Sequence, residues 1–426
     1  MKRNYCVQLN DVLVGYLTET DEGVVYFRMV DGYREMPHRP VLSQFFEDDL
    51  NKIYKGKRGA LPAFFENLLP EGPLRELVEK SLQLEAPDEL ALIEALGSDL
   101  PGAVIIRQDE NEIFDRIENG DDDLAQSDTQ SDSNGVGIRF SLAGVQMKFS
   151  VARAADRLTL PAHGKGGEWI VKLDSSAYPK VPENEYATLE WARAAGFNVP
   201  ECELQQASSL ASPLDKYVKD LDSNVLVIRR YDRKEGKRIH QEDFAQVVGL
   251  NPKLKYDHIT YEQCANLVLR IAGTDEYFEF IRRLAFMVAT GNTDAHLKNW
   301  SFIYGDGIHA KLAPMYDQVC TIAWPDVSRD LSLKLASVKP LLKIDEDAFA
   351  RLARSIGADS DKTVSVLRES LFQIARAWRE SKGKEIMPKP HIDELESYWK
   401  RAPLLKQFAG TFIDIDKTRS FLPVSV

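Results

Sequence analysis

The sequence is short of thiols, imidazoles, long apolar runs and positive charge, and each shortage excludes a class of function. Its four cysteines, Cys6, Cys202, Cys264 and Cys320, lie far apart and form no Cys-x-x-Cys pair, so neither a zinc site nor a disulfide framework is expected. The seven histidines are equally scattered and offer no metal-ligand spacing. No apolar run reaches the roughly eighteen residues of a membrane span. Met1-Lys2-Arg3-Asn4-Tyr5 leads into an alternating strand pattern, not the apolar stretch of a signal peptide. A cytoplasmic protein without membrane contact is therefore expected. The formal net charge of -12 argues against a generic nucleic-acid binder, whose affinity rests on neutralising phosphates with Lys and Arg. Any DNA contact would need a local patch or a basic partner.

What is present is enough length, 426 residues, for two or three domains with a substantial core. Residues 1–107 read as a small α+β subdomain. Strands are expected at Cys6–Leu9, Val12–Tyr16 and Val24–Phe27, then a helix from Pro62 to Leu82 and another from Asp88 to Leu96, ending at Gly97. Residues 108–137 turn acidic and polar, with Asp121-Asp122-Asp123 followed by Ser127 to Asn134, the composition of a flexible linker. Residues 138–233 are rich in strand patterns, interrupted by one helix over Asn184–Ala195 that Gly196 closes. Residues 234–426 carry helical stripes at Tyr261–Ile271, Tyr277–Ala289, Phe349–Ile356, Val364–Trp378 and Ile392–Trp399. The expected fold class is α+β: a bilobal, protein-kinase-like arrangement with the small N-terminal subdomain and an all-helical C-terminal lobe.

Within the last segment, Asp294 stands five positions before Asn299, and Asp317 follows an apolar hairpin formed by Trp300–Tyr304 and Ala310–Ala313. A phosphoryl-transfer loop uses that spacing: a base Asp, an Asn that holds Mg²⁺ five residues later, and a second metal-holding Asp downstream. Turn chemistry alone could also place Asn, Thr and Asp there. His296 would orient the loop or touch phosphates, or be a structural histidine; Lys298 would balance phosphate charge.

Such a site needs a phosphate cover, a phosphate-binding Lys and an acidic partner for that Lys, all upstream. In Ser141-Leu142-Ala143-Gly144-Val145-Gln146-Met147-Lys148, residues Ala143, Gly144, Val145 and Gln146 form a tight turn between strands whose N–H groups could line phosphates. Lys172 lies inside the apolar strand Trp169-Ile170-Val171-Lys172-Leu173, where an ammonium is costly unless paired. It is either the outward residue of an edge strand or the partner of Glu185 thirteen residues on, with Glu183 as the alternative. Val225 to Arg233 ends the β-rich segment, where backbone groups near Arg229 and Tyr231 could meet an adenine edge and the Tyr231 ring its face.

Taken together, these stretches resemble the HipA family of serine/threonine kinase toxins. The resemblance runs through residues 141–148, Ile170-Val171-Lys172-Leu173, Glu183-Asn184-Glu185-Tyr186, Arg230-Tyr231-Asp232-Arg233, His240-Gln241-Glu242-Asp243-Phe244, Thr293 to Asn299 and Tyr316-Asp317. It extends to Phe65-Glu66-Asn67-Leu68-Leu69-Pro70-Glu71-Gly72 and Pro101-Gly102-Ala103, so it spans nearly the whole chain. It implies ATP and Mg²⁺, Asp294 as base, Asn299 and Asp317 as metal ligands, Lys148 and Lys172 at the phosphates, and Ser141 as an autophosphorylation site that switches the enzyme off by local charge. It also implies a small helix-turn-helix antitoxin of the HipB kind, operator DNA reached mainly through that antitoxin, and a protein substrate, which in some relatives is an aminoacyl-tRNA synthetase. Ala295, where Gly is frequent, and the acidic stretch from Asp109 to Asp132 depart from the family pattern. Two other readings compete: a silent pseudokinase scaffold for antitoxin and DNA, and a small-molecule kinase.

Overall fold

The computed structural model describes residues 3–413 apart from 85, 110–146, 155–156, 160–166, 213 and 257. Ser141, Ala143, Gly144, Val145 and Gln146 therefore lie outside the described residues, as does most of the acidic stretch.

Alternating residues at the start of the chain build an antiparallel sheet in the order β4-β3-β2-β1-β5. Its strands are β1 (Asn4–Leu9), β2 (Val12–Glu19), β3 (Val25–Met29), β4 (Tyr54–Lys55) and β5 (Val104–Gln108). Tyr5, Val7 and Leu9 fall on one face by the two-residue period and are buried. The helix expected over Pro62–Leu82 is two helices, Ala63–Glu66 and Gly72–Ser81. Pro70 and Pro73 cannot donate to a helical ladder, and Gly72 takes φ +55°, so the chain turns between them.

A second antiparallel sheet follows in the order β7-β6-β8-β10-β9, from β6 (Lys148–Ala154), β7 (Arg157–Thr159), β8 (Trp169–Lys172), β9 (Cys202–Gln206) and β10 (Asn224–Arg229). One hydrophobic core serves both sheets: Phe27, Phe64 and Ile93 belong to the same buried cluster as Phe149, Val171 and Val227. A buried ionic cluster fastens the exit of β10 to the end of the N-terminal subdomain. Arg230 bonds Asp99 at 2.9 Å and Asp232 at 2.8 Å, Arg233 reaches Asp99 at 3.1 Å, and the Gly102 N–H donates to Asp232 at 2.8 Å. Each charge meets an opposite one, which such burial requires.

The helix Val181–Ala194 belongs to the other core. Its Trp191 is fully buried, packs on Trp378, Trp399 and Phe286, and donates Nε1–H to the Ile374 carbonyl at 2.8 Å. The surrounding helices are Tyr261–Ile271, Thr274–Thr290, Glu346–Ser355, Ser360–Glu380 and Lys389–Arg401. Thr260, Asp345 and Asp359 cap three of them with their side chains. The expectation of an all-helical lobe is corrected: this region also carries strands. After a small hairpin of β11 (Arg233–Lys234) and β12 (Lys237–Arg238), β13 (His240–Asp243), β14 (Ser301–Tyr304) and β15 (Lys311–Leu312) form a three-stranded sheet, and β16 (Asp330–Leu335) pairs with β17 (Val338–Pro340). The β14–β15 pair is the hairpin expected at Trp300–Tyr304 and Ala310–Ala313; β13, β16 and β17 lie outside the expected strands. Among the described residues no helix is long and apolar enough to cross a membrane.

Candidate functional site

The second sheet, the small strands that follow it and the adjoining loops enclose a cleft of about 1070 Å³ lined by Lys148, Lys172, Tyr231, Asp294, Asn299 and Asp317, among others. Lys172 enters it from β8, which pairs with β6 on one side and β10 on the other. It is therefore not an edge residue. Its ammonium is 2.5 Å from Glu185, which is fully buried on the helix Val181–Ala194, and also bonds Asp317. Glu183, the alternative partner, bonds Lys180 and Asn224 instead. Burial works against the Lys172 charge, but the Asp317 and Glu185 carboxylates outweigh it and raise the pKa. Lys148 approaches Asp317 to 3.9 Å; burial lowers its pKa, and Asp317 only partly offsets this. Desolvation of Asp317 is in turn outweighed by Lys148 and Lys172, which hold its carboxyl far below the usual carboxylate range.

Asp317 has φ +51°, a left-handed backbone that Asp tolerates better than most residues. Its segment is stitched to the one carrying Asp294. The Thr293 N–H donates to Thr321 Oγ1 at 2.8 Å, and the Tyr316 hydroxyl donates to the Lys298 carbonyl at 2.9 Å. Asn184 accepts from the Cys320 N–H at 2.8 Å, tying the Glu185 helix to the same segment. Upstream, Gly291 ends the helix Thr274–Thr290 at φ +65°, where a Cβ would fall 2.3 Å from Ile322.

Asp294 is exposed to the cleft. Its N–H donates to Asn292 Oδ1 at 3.0 Å, and its carboxylate accepts from the Tyr256 hydroxyl at 3.0 Å. Desolvation by the cleft walls raises its pKa above the ordinary carboxylate value, with the Tyr256 bond acting the other way. Asn299 donates its NH₂ to the Asp294 carbonyl at 3.1 Å, which leaves its side-chain oxygen as a potential ligand.

Two residues grouped with the chemistry have other partners. His296 is buried, its Nδ1 has no hydrogen bond among the described residues, and burial, with Lys255 adding to it, pushes the imidazole down to about 3. It is a neutral ring packed edge-on against Tyr256 at 5.0 Å. Lys298 spends its ammonium on the Asn67 carbonyl at 2.8 Å and on Glu71 at 3.1 Å, with Asp243 at 3.6 Å, so the expected phosphate contact is corrected to a contact with the N-terminal subdomain. At the exit of β10 the Arg229 and Arg230 N–H groups donate to the Glu201 and Glu168 carbonyls, both at 2.8 Å, which removes Arg229 N–H as a donor to a ligand. The Arg229 guanidinium is exposed, 3.4 Å from Glu201. The Tyr231 ring stacks on Tyr316 at 5.8 Å. Sequence reasoning missed Asn67, Glu71 and Tyr256. The first two sit in a stretch that carried the family resemblance, whereas nothing in the pattern singled out Tyr256.

The class of protein follows from the architecture: an α+β chain with the fold of HipA from Shewanella oneidensis, solved as a complex of HipA, HipB and operator DNA. The TM-score is 0.72 at 20% identity, covering 97% of this chain and all of that one. The model of the HipA N-terminal domain matches residues 5–107 and that of the HipA-like C-terminal domain residues 140–378. The chain belongs to the HipA family. Relatives include the Sinorhizobium fredii protein named "Putative kinase Y4dM", 34% identical over 95% of this chain and 98% of its own length. Another is the Shewanella oneidensis serine/threonine-protein kinase toxin HipA, 22% identical over 80% of this chain and 81% of its own.

Proposed function

We propose that the chain is an ATP-dependent serine/threonine protein kinase and the toxin of a toxin–antitoxin pair. The observation that carries this reading is the convergence of Lys172, Glu185 and Asp317 in a cleft that also contains Asp294 and Asn299. Lys172, oriented by Glu185, and Lys148 take the nucleotide phosphates, and the N–H groups of Ala143, Gly144, Val145 and Gln146, outside the described residues, are the candidate phosphate cover. The adenine lies toward Tyr231. Asp294 accepts the proton of the acceptor hydroxyl.

The donor set fits Mg²⁺, which binds oxygen and is commonly held by one or two carboxylates together with substrate phosphates. Asp317 supplies a carboxylate, and Asn299, with its NH₂ committed to Asp294, supplies a carbonyl oxygen. When bound, the ion neutralises charge on the transferring phosphate.

The same reading makes Ser141 the autophosphorylation site, whose phosphate would switch the enzyme off. It also gives the chain a HipB-like helix-turn-helix antitoxin, operator contact mainly through that antitoxin, and a protein substrate, with an aminoacyl-tRNA synthetase as the first class to test. The net charge of -12 and the HipB and operator DNA seen with the Shewanella protein support the antitoxin route.

The test is Asp294→Asn, which keeps the shape and removes the base. Loss of a general base costs roughly 10²- to 10⁴-fold, so phosphate incorporation at Ser141 should collapse and growth arrest on expression should be relieved. Undiminished incorporation sinks the reading, and absence of ATP consumption by the wild-type chain favours the pseudokinase scaffold.

A further inference from the structure

Tyr256 has no part in the scheme above, yet it contacts the centre of it. It follows the turn of 3-10 helix Pro252–Leu254, leaves 38% of its surface exposed, and donates its hydroxyl to Asp294 Oδ1 at 3.0 Å. A tyrosine that exposed gains little for folding by aiming at a carboxylate. Its neighbours hold it there. Lys255 is buried with its ammonium 2.8 Å from Glu71, and the Lys255 carbonyl accepts from the Leu297 N–H at 3.4 Å. Glu71 also lies 3.1 Å from Lys298. One carboxylate of the N-terminal subdomain thus braces both the segment carrying Tyr256 and the loop carrying Asp294.

We propose that Tyr256 is a positioning residue for Asp294, its hydroxyl fixing Oδ1 so that Oδ2 is presented to the acceptor, and that Glu71 holds Tyr256 in place through Lys255. The inference rests on Asp294 acting as the base. A carboxylate has two equivalent oxygens and rotates about its own bond; a hydrogen bond to one distinguishes the two and favours one orientation. Among the described residues no hydrogen bond engages Oδ2.

The experiment uses the purified full chain and its Tyr256→Phe and Glu71→Gln variants. Two quantities are measured: the rate of phosphate incorporation from radiolabelled ATP at saturating nucleotide and magnesium, and the affinity for a non-hydrolysable ATP analogue by calorimetry. Tyr256→Phe keeps the ring and deletes one hydrogen bond to a charged group, so kcat should fall roughly ten- to hundredfold with nucleotide affinity unchanged. Glu71→Gln should lower kcat in the same selective way. A Tyr256→Phe kcat at or above wild type overturns the inference, and so does a fall in kcat matched by lost nucleotide affinity. Should Asp294→Asn also retain full incorporation, the reading of Asp294 as base fails instead.

Discussion

Glu242 titrates where the N-terminal subdomain meets the three-stranded sheet, and its replacement by Gln should change how stability depends on pH. The side chain is fully buried and accepts three hydrogen bonds: from Ser43 Oγ at 2.5 Å, from the Gln44 N–H at 3.0 Å and from the Tyr304 hydroxyl at 2.5 Å. Burial nevertheless dominates and pushes its pKa from 4.5 up to about 7. Between those values the folded chain holds a proton that the unfolded chain has lost, so the contribution is present below about pH 4.5 and disappears as the pH rises through about 7. At roughly 1.4 kcal/mol per pH unit, the loss amounts to about 3 kcal/mol. His240, two residues away, works the other way: burial pushes it down to about 4, and stability rises with pH as the unfolded imidazole loses its charge. Wild type alone should therefore show a muted profile. The difference between wild type and Glu242→Gln isolates the carboxyl, because the variant retains His240. Denaturant unfolding of both proteins from about pH 4 to about pH 8 should show the difference between them changing by about 3 kcal/mol, wild type losing ground as the pH rises. A difference that stays level across that range refutes the assignment.

Lys172→Met keeps the stem and removes the charge from a pair in which Glu185 is fully buried. The cost should be about 3 kcal/mol, at the low end for a broken buried pair because Glu185 can take up a proton, and calorimetric titration should show nucleotide binding lost; wild-type affinity would remove Lys172 from the phosphate site. Trp191→Ala deletes the indole at the centre of the cluster with Trp378, Trp399 and Phe286. It should cost about 3–5 kcal/mol in denaturant unfolding and weaken nucleotide binding, because the helix that carries Glu185 loses its anchor; unchanged binding by folded protein would uncouple that helix from the site.

The Asp294, Asn299 and Lys172–Glu185 relations were legible because each rests on local spacing and a residue type out of place: a Lys in an apolar strand, an Asp five residues before an Asn. What lay beyond reading was set by neighbours distant in sequence. Lys298 looked like a phosphate ligand from its loop alone; its ammonium goes to Asn67, 231 residues away. Backbone groups near Arg229 and Tyr231 were expected at an adenine edge; of these the Arg229 N–H goes to the Glu201 carbonyl. The β14–β15 hairpin was legible as the apolar runs Trp300–Tyr304 and Ala310–Ala313, and β16, Asp330-Leu331-Ser332-Leu333-Lys334-Leu335, carries an alternation that went unread; β13, the polar run His240-Gln241-Glu242-Asp243, offers no apolar pattern and is a strand only through its pairing with β14.

The failed helix at Pro62–Leu82 is the most instructive of these, because its break has a chemical use. In an unbroken helix the Asn67 carbonyl would accept the N–H four residues on, that of Glu71. Pro70 and Pro73, with Gly72 at φ +55°, prevent that ladder from continuing. The Asn67 carbonyl instead takes the Lys298 ammonium, and Glu71 turns out to meet Lys255. Asn67 Nδ2 holds the residue in place by donating to the Ala63 carbonyl at 2.9 Å, which also accepts the Asn67 N–H, and to the Leu250 carbonyl at 2.8 Å. Apolar periodicity reports only which face is buried, and that face continues through Leu68 and Leu69 across the break. The prolines carried the better signal: they mark the point where backbone polar groups leave the helix and become ligands for the loop of Asp294.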